Sequence, residues 1–461
     1  MALLNLSTAI LFIIFAGANM LCLIFRRADT GLSMAEKLAM AYGLGIGFIS
    51  LEMLALSLLK MRFTFFNIAA PWLVILIANV ILLSKKAPGH SIKPDLSAKD
   101  DSKILVLKIV LQAGIALEIF YAFFRALIKP IESYDAVAIY AIKSKIFYLA
   151  GIIPSDYFTA LAKHFPHPDY PLNIPLIETF IYLTLASLND ALVKIVFPLY
   201  FIGTLAMLYF AVRRFANSNY ALIFTFMLAT IPQFNAYACN AYIDLPLAFY
   251  CFTSAIFLFE YFRDRTRIHF MVLSAVMAAL AGWTKNEGLM YCAAYIVTMI
   301  IYFAFNLKKS SVKDIISALL YVIIIAAISV PWLLIKKIFG LVNNDMGLMD
   351  MSPASLVNNI YKLGPIFYEF QKELFGPKKW NIFWAAAACI FIIRIKAAFS
   401  GHRRYVTITL FLIISGYVLA YMVSPIDIRF FLAKTWSRFL VQFLPIAVYW
   451  LALMLKDDID L

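Results

Sequence analysis

Thirteen apolar segments follow one another along the 461-residue chain, most of them close to the roughly 20 residues that cross a bilayer as a helix. Charged residues make up 14% of the chain, against about 25% in a soluble domain. No soluble core could enclose this much apolar surface, and we therefore predict an all-α polytopic membrane protein. The segments are 3–25, 38–59, 66–84, 104–128, 191–212, 219–234, 244–262, 268–283, 289–306, 314–335, 380–396, 405–424 and 438–455.

Basic residues gather in every second connector between these segments, which predicts the orientation of the chain by the positive-inside rule. The connectors 26–37, 85–103, 213–218, 263–267, 307–313 and 394–404 become cytoplasmic, and the N-terminus lies outside. Lys60 and Arg62 do not follow this alternation. The net charge of +14 therefore indicates topology and does not indicate nucleic-acid binding. We predict a multi-pass protein of a prokaryotic cytoplasmic membrane.

Two long outer loops result from this topology, and the chain divides accordingly into four regions. Segment 171–188 is apolar, but counting it as a span would invert everything downstream, so we predict a helix lying in or dipping into the outer leaflet. Apolar residues recur at helical spacing within 357–375, which predicts an interfacial amphipathic helix. The regions are three N-terminal helices and a linker over 1–103, a core with its first outer loop (129–190) over 104–335, a second outer loop over 336–379, and C-terminal helices over 380–461.

The outer connectors hold the ionisable residues that a membrane would penalise. Each such group costs roughly 2.5–3.5 kcal/mol within a bilayer, and it usually marks a function or a mutual pairing. Each of them also has an ordinary structural explanation, such as a solvated face, a tight turn or an arginine at the end of a span. Their placement on one side of the membrane is what favours a common site. They are Glu132, Asp135, Lys143, Lys145, His167, Asp169, Asp244, Lys285, Glu287 and Arg438.

Five short motifs carry eight of these ten residues, all except Lys143 and Lys145, in a recognisable order. They are ESYD at 132–135, HPDYPL at 167–172, IDLPLAF around Asp244, GWTKNEGL around Lys285, and SRFLVQFLP from Ser437. The layout resembles the GT-C superfamily of membrane glycosyltransferases, which use polyprenyl-phosphate-linked sugars and include protein O-mannosyltransferases, aminoarabinose transferases and the catalytic subunit of oligosaccharyltransferase. The resemblance covers about residues 104–310 and the last span, whereas residues 1–100 do not match it.

The resemblance implies a fold, an activity and a set of site residues. It implies an inverting transfer of a sugar from a polyprenyl-phosphate donor to a lipid, glycan or protein acceptor at the outer face. Asp135 and Glu132 are the candidate catalytic acids; their separation leaves the base open, and the helix predicted after Asp135 favours that residue. The substrate-binding residues would be Lys143, Lys145, His167, Asp169, Asp244, Lys285, Glu287 and Arg438. A divalent metal ion could be held by Glu132, Asp135, His167, Asp169 and Asp244, but the sequence does not decide this.

Three other functions compete with a glycosyltransferase. A transporter or lipid flippase places polar residues near the midplane and often contains repeats, whereas this chain has no clear repeat and gathers its polar residues at one face. An O-antigen polymerase or ligase is also polytopic with large outer loops, but it lacks the early acidic loop. A non-catalytic subunit with a decayed site would explain the separation of Glu132 from Asp135.

Overall fold

The computed structural model describes residues 1–26, 28, 30–83, 102–164, 167–307, 311–342 and 352–456, and within them it is helical without any strand. The all-α prediction is therefore confirmed. Connector 85–103 falls largely outside the described residues, as does 343–351 of the second outer loop. The first ten helices are α1 (Ala2–Phe25), α2 (Met34–Leu58), α3 (Phe65–Leu83), α4 (Ser102–Ile128), α5 (Ile142–Ala150), α6 (Asn173–Leu185), α7 (Asp190–Val193), α8 (Val196–Arg213), α9 (Ser218–Ala229) and α10 (Pro232–Cys239).

The second half of the described chain adds five helices of 19 or more residues and several shorter ones. Short helical pieces at the second outer loop precede the span that starts at Arg403. These helices are α11 (Asp244–Arg263), α12 (Ile268–Thr284), α13 (Glu287–Phe305), α14 (Val312–Phe339), α15 (Pro353–Asn358), α16 (Leu363–Leu374), α17 (Pro377–Trp380), α18 (Phe383–Ile393), α19 (Ile395–Ala398), α20 (Arg403–Val423) and α21 (Ile428–Leu455).

The described helices contain ten that are long and apolar enough to cross a membrane, or eleven if α9 and α10 form one bent span. The predicted number of thirteen is not confirmed. Pro232 lacks an N–H and starts a new helix, which bends away from α9 by 66°. Helix α12 has 17 residues, and α18 has 11 residues and ends at Ile393, directly before Arg394. The chain is nevertheless an integral, multi-pass membrane protein.

Helix α11 forms the centre of the bundle, because nearly all of its residues are buried on every side. It packs against α8, α12 and α21, while α3, α4 and α14 expose apolar side chains where lipid would lie. Helices α1 and α2 approach so closely that a Cβ on Gly17 or Gly45 would lie 1.7–1.8 Å from a carbonyl oxygen of the facing helix. Small residues at such crossings allow two backbones to pack directly.

Helix α6 corresponds to segment 171–188, for which we predicted a helix lying in or dipping into the outer leaflet. With 13 residues it is shorter than a span, as predicted, and it is buried along most of its length against α1, α2 and α5. Its apolar side chains cover other helices, and a continuous apolar run cannot distinguish a protein interior from lipid. The amphipathic segment does form a helix, α16, which packs on α21 through Phe370 and Trp436, with ring centroids 6.1 Å apart.

Candidate functional site

The first component of the site is a carboxylate at the start of the central helix. Asp244 is the first residue of α11, where the helix dipole favours a negative charge, and Pro246 fits the first turn. The side chain of Asp244 is fully buried. Its Oδ1 accepts hydrogen bonds from Lys285 Nζ at 2.9 Å and from Gln442 Nε2 at 2.5 Å. A buried carboxylate with cationic and amide donors acts as a rigid anchor for them.

The second component is the two-residue turn between α12 and α13. Lys285 follows the last residue of α12, Asn286 precedes α13, and Glu287 is its first residue. Gly288 permits the turn, because a Cβ there would lie 2.1 Å from the carbonyl oxygen of Ala281. Lys285 Nζ lies 2.7 Å from Glu287 Oε1, and its side chain is only 2% exposed. The turn thus places one buried cation between two carboxylates.

Arg438 connects these groups to the first outer loop. Its Nη2 lies 3.3 Å from Asp244 Oδ2, and its Nη1 contacts Asp135 Oδ2. The guanidinium also lies over the ring of Tyr242, with Cζ 5.0 Å from the centroid. Asp135 directly precedes a π-helical stretch, 136–141, that continues into α5. Such stretches are rare and frequent at functional sites.

These five residues form one contiguous cluster, which we call the ionic cluster: Asp135, Asp244, Lys285, Glu287 and Arg438. Its floor is formed by the buried side chains of Asp244 and Lys285, and its rim reaches solvent. The side chains of Asp135, Glu287 and Arg438 are 24%, 19% and 17% exposed. An incoming ligand would therefore meet the rim residues first.

A second polar group adjoins the ionic cluster through Asn286. Its amide donates to Asp169 Oδ2, and its Oδ1 accepts from Lys336 Nζ at 3.1 Å. Trp332 Nε1 donates to the backbone oxygen of Asp169 at 3.3 Å. Burial raises the pKa of the Asp169 carboxyl, while Lys336 and the Asn286 hydrogen bond oppose that shift. Asp169 Oδ1 is buried and has no hydrogen-bond partner in the described part of the chain.

The loop that carries Asp169 is held by an enclosed lysine. Lys143 is fully buried and donates to the carbonyl oxygen of His167 at 3.2 Å. Burial lowers the pKa of Lys143 to about 8, against an opposing effect of Asp169. His167 has a φ of +52°, and its ring stacks on Tyr170 with centroids 4.6 Å apart. Lys143 and His167 therefore shape the loop and do not contact the ionic cluster directly.

Tyr140 lies between the loop and the ionic cluster. It is 1% exposed, and it is close enough to Arg438, Asp244 and Glu287 for their charges to act on its hydroxyl. Burial raises the pKa of this phenol well above its usual value, which keeps the hydroxyl protonated and able to donate. That hydroxyl is buried without a hydrogen-bond partner in the residues that the structure covers.

Two of the predicted site residues lie apart from the others. Glu132 points to solvent and pairs with Lys129 at 3.3 Å, with a side chain 57% exposed. Lys145 pairs with Asp190 at 2.6 Å, and Asp190 also accepts from Tyr182. Glu132 belongs to the irregular segment before the π-helical stretch, and Lys145 lies on another face of α5 from Lys143. Sequence proximity to Asp135 and Lys143 did not place them in the ionic cluster.

Sequence reasoning missed four residues of the site: Tyr140, Asn286, Lys336 and Gln442. Tyr140 and Gln442 carry no charge, and they lie within apolar stretches that resemble ordinary core. Lys336 could have been found from the sequence. It lies in the last turn of a span on the predicted outer side, where the positive-inside rule expects few basic residues. Asn286 lies between Lys285 and Glu287, which the sequence predicted as site residues, but it carries no charge itself.

Among the described residues, the acidic side chains of this site do not fit a protein-held divalent ion. The described chain contains no group of three or more His, Cys, Asp or Glu side chains arranged to hold a metal. Within the ionic cluster, Asp135 and Asp244 face Arg438, and Glu287 faces Lys285. Because these carboxylate oxygens already form ion pairs with Arg438 and Lys285, we derive no step through a metal ion.

Comparison with known proteins gives one family match and one structural match. Residues 167–334, a little over a third of the chain, match the family described as dolichyl-phosphate-mannose-protein mannosyltransferase. This match confirms the resemblance to the GT-C superfamily. It includes Asp169, Asp244, Lys285 and Glu287 and leaves out Asp135 and Arg438.

The structural match is the archaeal oligosaccharyltransferase AglB from Archaeoglobus fulgidus, solved in complex with an inhibitory peptide and a dolichol-phosphate. It is 11% identical, with a TM-score of 0.47 over 77% of this chain. The chain spans half the length of that protein. No curated protein has a sequence that matches this chain.

Proposed function

We propose that the chain transfers a sugar from a polyprenyl-phosphate donor to an acceptor, starting from the match of residues 167–334 to a dolichyl-phosphate-mannose-dependent family. The observation that carries the proposal is that one guanidinium, that of Arg438, contacts both Asp135 and Asp244. This contact joins a candidate base from the first loop to a candidate phosphate-binding group from the last helix. The positive-inside rule puts this site at the outer face.

Arg438 and Lys285 are suited to hold the donor phosphate. An arginine presents a planar set of N–H donors that matches phosphate oxygens, and a lysine adds a point charge. Asp244 stays paired with Arg438 and Lys285, because it is buried and accepts hydrogen bonds from both. We infer that the phosphate displaces Asp135 from Nη1 and that Asp244 is a positioning residue.

Asp135 then acts as the general base. The acceptor hydroxyl or amine loses its proton to the carboxylate as its oxygen or nitrogen bonds to the sugar C1. The bond from C1 to the phosphate oxygen breaks, and the polyprenyl phosphate leaves with that electron pair, which inverts C1. A positioned base contributes roughly 10²–10⁴-fold to such a step. Cations aimed at the growing phosphate charge stabilise the transition state.

The sugar itself would meet the unpartnered polar atoms beside the ionic cluster. Tyr140 can donate through its hydroxyl, and Asp169 can accept through Oδ1, and both atoms are buried without a partner in the described structure. A sugar hydroxyl offers both a donor and an acceptor, which would satisfy them. Buried polar atoms in proteins are nearly always hydrogen-bonded, and the hydroxyls of a bound sugar would supply partners for these two.

The test uses purified protein in nanodiscs with radiolabelled mannose on dolichyl phosphate, and with the undecaprenyl counterpart. A Ser/Thr-rich peptide and a membrane lipid extract serve as acceptors. We expect the wild type to move label from the donor into product, and Asp135→Asn to reduce this by roughly 10²-fold or more. Glu132→Gln is the matched control and should retain activity.

Full transfer by a folded Asp135→Asn protein would refute the role of that residue. The same preparation in sealed liposomes tests the transporter alternative. If the donor crosses the bilayer unchanged and no label enters any acceptor, the proposed reaction is wrong.

A further inference from the structure

A small recess lies at the predicted outer end of α4, between that helix and the segments before α8 and after α10, and we call it the outer recess. Three cations and one carboxylate line it: Arg125, Lys129, Lys194 and Glu132. All of its lining residues fall within 102–164 and 167–307, and no residue outside the described part adjoins any of them in the chain. The positive-inside rule expects few basic residues on this side.

Lys194 is the unusual member of the outer recess. Its side chain is only 3% exposed, and its ammonium forms no hydrogen bond or ion pair with any residue that the structure describes. The charge of Glu132 acts favourably on this ammonium, whereas those of Arg125 and Lys129 oppose it. Because a buried charge without a close partner is costly, an anionic oxygen in the recess would stabilise Lys194.

The carboxylate of Glu132 offsets only one of the three cations. It lies 3.3 Å from Lys129 and is 57% exposed. In the described part of the chain, neither Arg125 nor Lys194 has a carboxylate within ion-pair distance, and the guanidinium of Arg125 lies over the ring of Tyr121, 6.0 Å from its centroid. The described residues therefore leave the outer recess with an excess of positive charge, which favours an anion.

The size of the outer recess limits what can enter it. Its volume is about 10 Å³, enough for one water-sized atom. One oxygen of an anionic group can reach Lys194, while the other oxygens stay at the mouth, where Arg125 and Lys129 are exposed. A phosphate has enough oxygens to face all three cations separately, whereas a carboxylate has only two.

An apolar surface leads along α4 to the outer recess. Phe120, Phe124 and Ile128 recur every four residues on one face of the helix, and each is more than half exposed. Arg125 and Lys129 each follow one residue later and form the neighbouring face. A ligand that fits both faces has an apolar chain and an anionic head. A membrane lipid with a phosphate headgroup has this chemistry.

We propose that the outer recess binds the phosphate of an anionic phospholipid from the outer leaflet. One phosphate oxygen accepts a hydrogen bond from Lys194, and the remaining oxygens face Arg125 and Lys129. An acyl chain lies along the exposed apolar face of α4. The same combination of cations and apolar helix surface binds lipid phosphates in other basic pockets between transmembrane helices.

The outer recess adjoins the ionic cluster without sharing a residue with it. Ser133 lines the recess and lies close to the hydroxyl of Tyr242, whose ring lies under the guanidinium of Arg438. A lipid in the recess would therefore bind beside the site proposed for sugar transfer. Because the two sets of residues are separate, substitutions can address each site alone.

The experiment measures ligand binding to the purified full-length protein by native mass spectrometry. The probes are phosphatidylglycerol, phosphatidylcholine, undecaprenyl phosphate and inorganic phosphate. The test variant combines Arg125→Gln, Lys129→Gln and Lys194→Gln. The control variant removes the same charge from exposed positions elsewhere on the predicted outer side and combines Lys60→Gln, Arg429→Gln and Lys434→Gln.

We expect the test variant to bind phosphatidylglycerol roughly 100-fold more weakly than the wild type, because three cationic contacts to the headgroup are lost. The control variant should stay within twofold of the wild type. Equal loss in both variants, or equal binding of phosphatidylcholine and phosphatidylglycerol by the wild type, would overturn the proposal. Inorganic phosphate that binds as tightly as phosphatidylglycerol would overturn the assignment to a lipid.

Undecaprenyl phosphate tests whether the recess belongs to the sugar donor instead. We expect the test variant to bind undecaprenyl phosphate as the wild type does, because the donor phosphate is assigned to Arg438 and Lys285. A loss of undecaprenyl phosphate binding as large as that of phosphatidylglycerol would overturn the assignment to a phospholipid.

Two single variants keep the result interpretable if the triple variant does not fold. Phosphatidylglycerol should raise the unfolding temperature of the wild type clearly more than that of Lys194→Met, which replaces the buried ammonium by an apolar group of similar length. An equal rise in both would contradict the proposal. Asp135→Asn should bind phosphatidylglycerol as the wild type does, so that lipid binding and sugar transfer can fail independently.

Discussion

Arg438 and Asp244 meet through two nitrogens and one oxygen: Nε and Nη2 of the guanidinium each lie 3.3 Å from Oδ2 of the carboxylate. The residues are far apart in the chain, on α21 and at the start of α11. Because Nε and Nη2 are committed to Asp244, Nη1 is the nitrogen that meets Asp135. The orientation of the guanidinium thus depends on a buried carboxylate.

We predict that Arg438→Lys abolishes most sugar transfer while leaving the protein folded. A lysine keeps the charge near Asp244, but its single ammonium cannot face Asp244 and a phosphate with the geometry of a guanidinium. We expect transfer to fall by roughly 10²-fold or more, measured as label moved from the lipid donor. Arg429→Lys, at an exposed position near the start of the same helix, is the control. Near-normal transfer by Arg438→Lys would show that a point charge is sufficient.

We predict that Asp244→Asn destabilises the protein strongly. Asparagine has a similar shape but no charge, and it would leave the buried ammonium of Lys285 with Glu287 as its remaining acid partner. Breaking a buried ion pair costs about 3–5 kcal/mol. The measurement is thermal unfolding in detergent beside Glu132→Gln, which removes an exposed pair worth at most about 1 kcal/mol. Equal unfolding temperatures for the two variants would contradict the anchor role of Asp244.

We predict a pH-dependent stability difference between the wild type and Lys143→Met. The pKa of Lys143 is lowered to about 8 in the folded protein, against about 10.4 when unfolded. Between these values the unfolded chain binds one more proton, and stability therefore rises with pH. From pH 8 to pH 9.5 the wild type should gain about 1.6 kcal/mol relative to Lys143→Met, because the folded lysine is still half protonated at pH 8. Unfolding at both pH values measures this gain, and a constant difference would exclude a buried titrating amine.

We predict that Gly45→Ala disrupts the packing of α1 on α2. The new Cβ would lie 1.8 Å from the carbonyl oxygen of Ile13, which belongs to backbone and cannot rotate away. Overpacking costs roughly 1–3 kcal/mol, and a backbone clash belongs at the upper end or beyond. Gly364→Ala is the matched control, because no heavy atom lies within 4 Å of its added Cβ. The yield of monodisperse protein and its unfolding temperature report the effect; if the two variants behave alike, the helices can separate at little cost.

The sequence was sufficient for the helical membrane architecture and for much of the ionic cluster. Charged residues are scarce enough in the chain that Asp135, Asp244, Lys285, Glu287 and Arg438 stand out at the ends of apolar segments. The sequence was not sufficient to predict the number of membrane-spanning helices. A run such as α12 or α6 has the same composition whether lipid or other helices surround it, and neighbours from distant parts of the chain decide which applies.

By itself the sequence determined that lipid must be the solvent for most of this chain and that its ionisable residues gather between the apolar segments, because hydrophobicity and charge are properties of the residues alone. Only the tertiary structure decided that Arg438 meets Asp135 and Asp244, that Glu132 and Lys145 turn to other partners, and that Tyr140 and Gln442 complete the site. Those pairings depend on the rotation of each helix about its axis and on the depth at which it packs. Both are results of side-chain packing between distant segments, which no local pattern records.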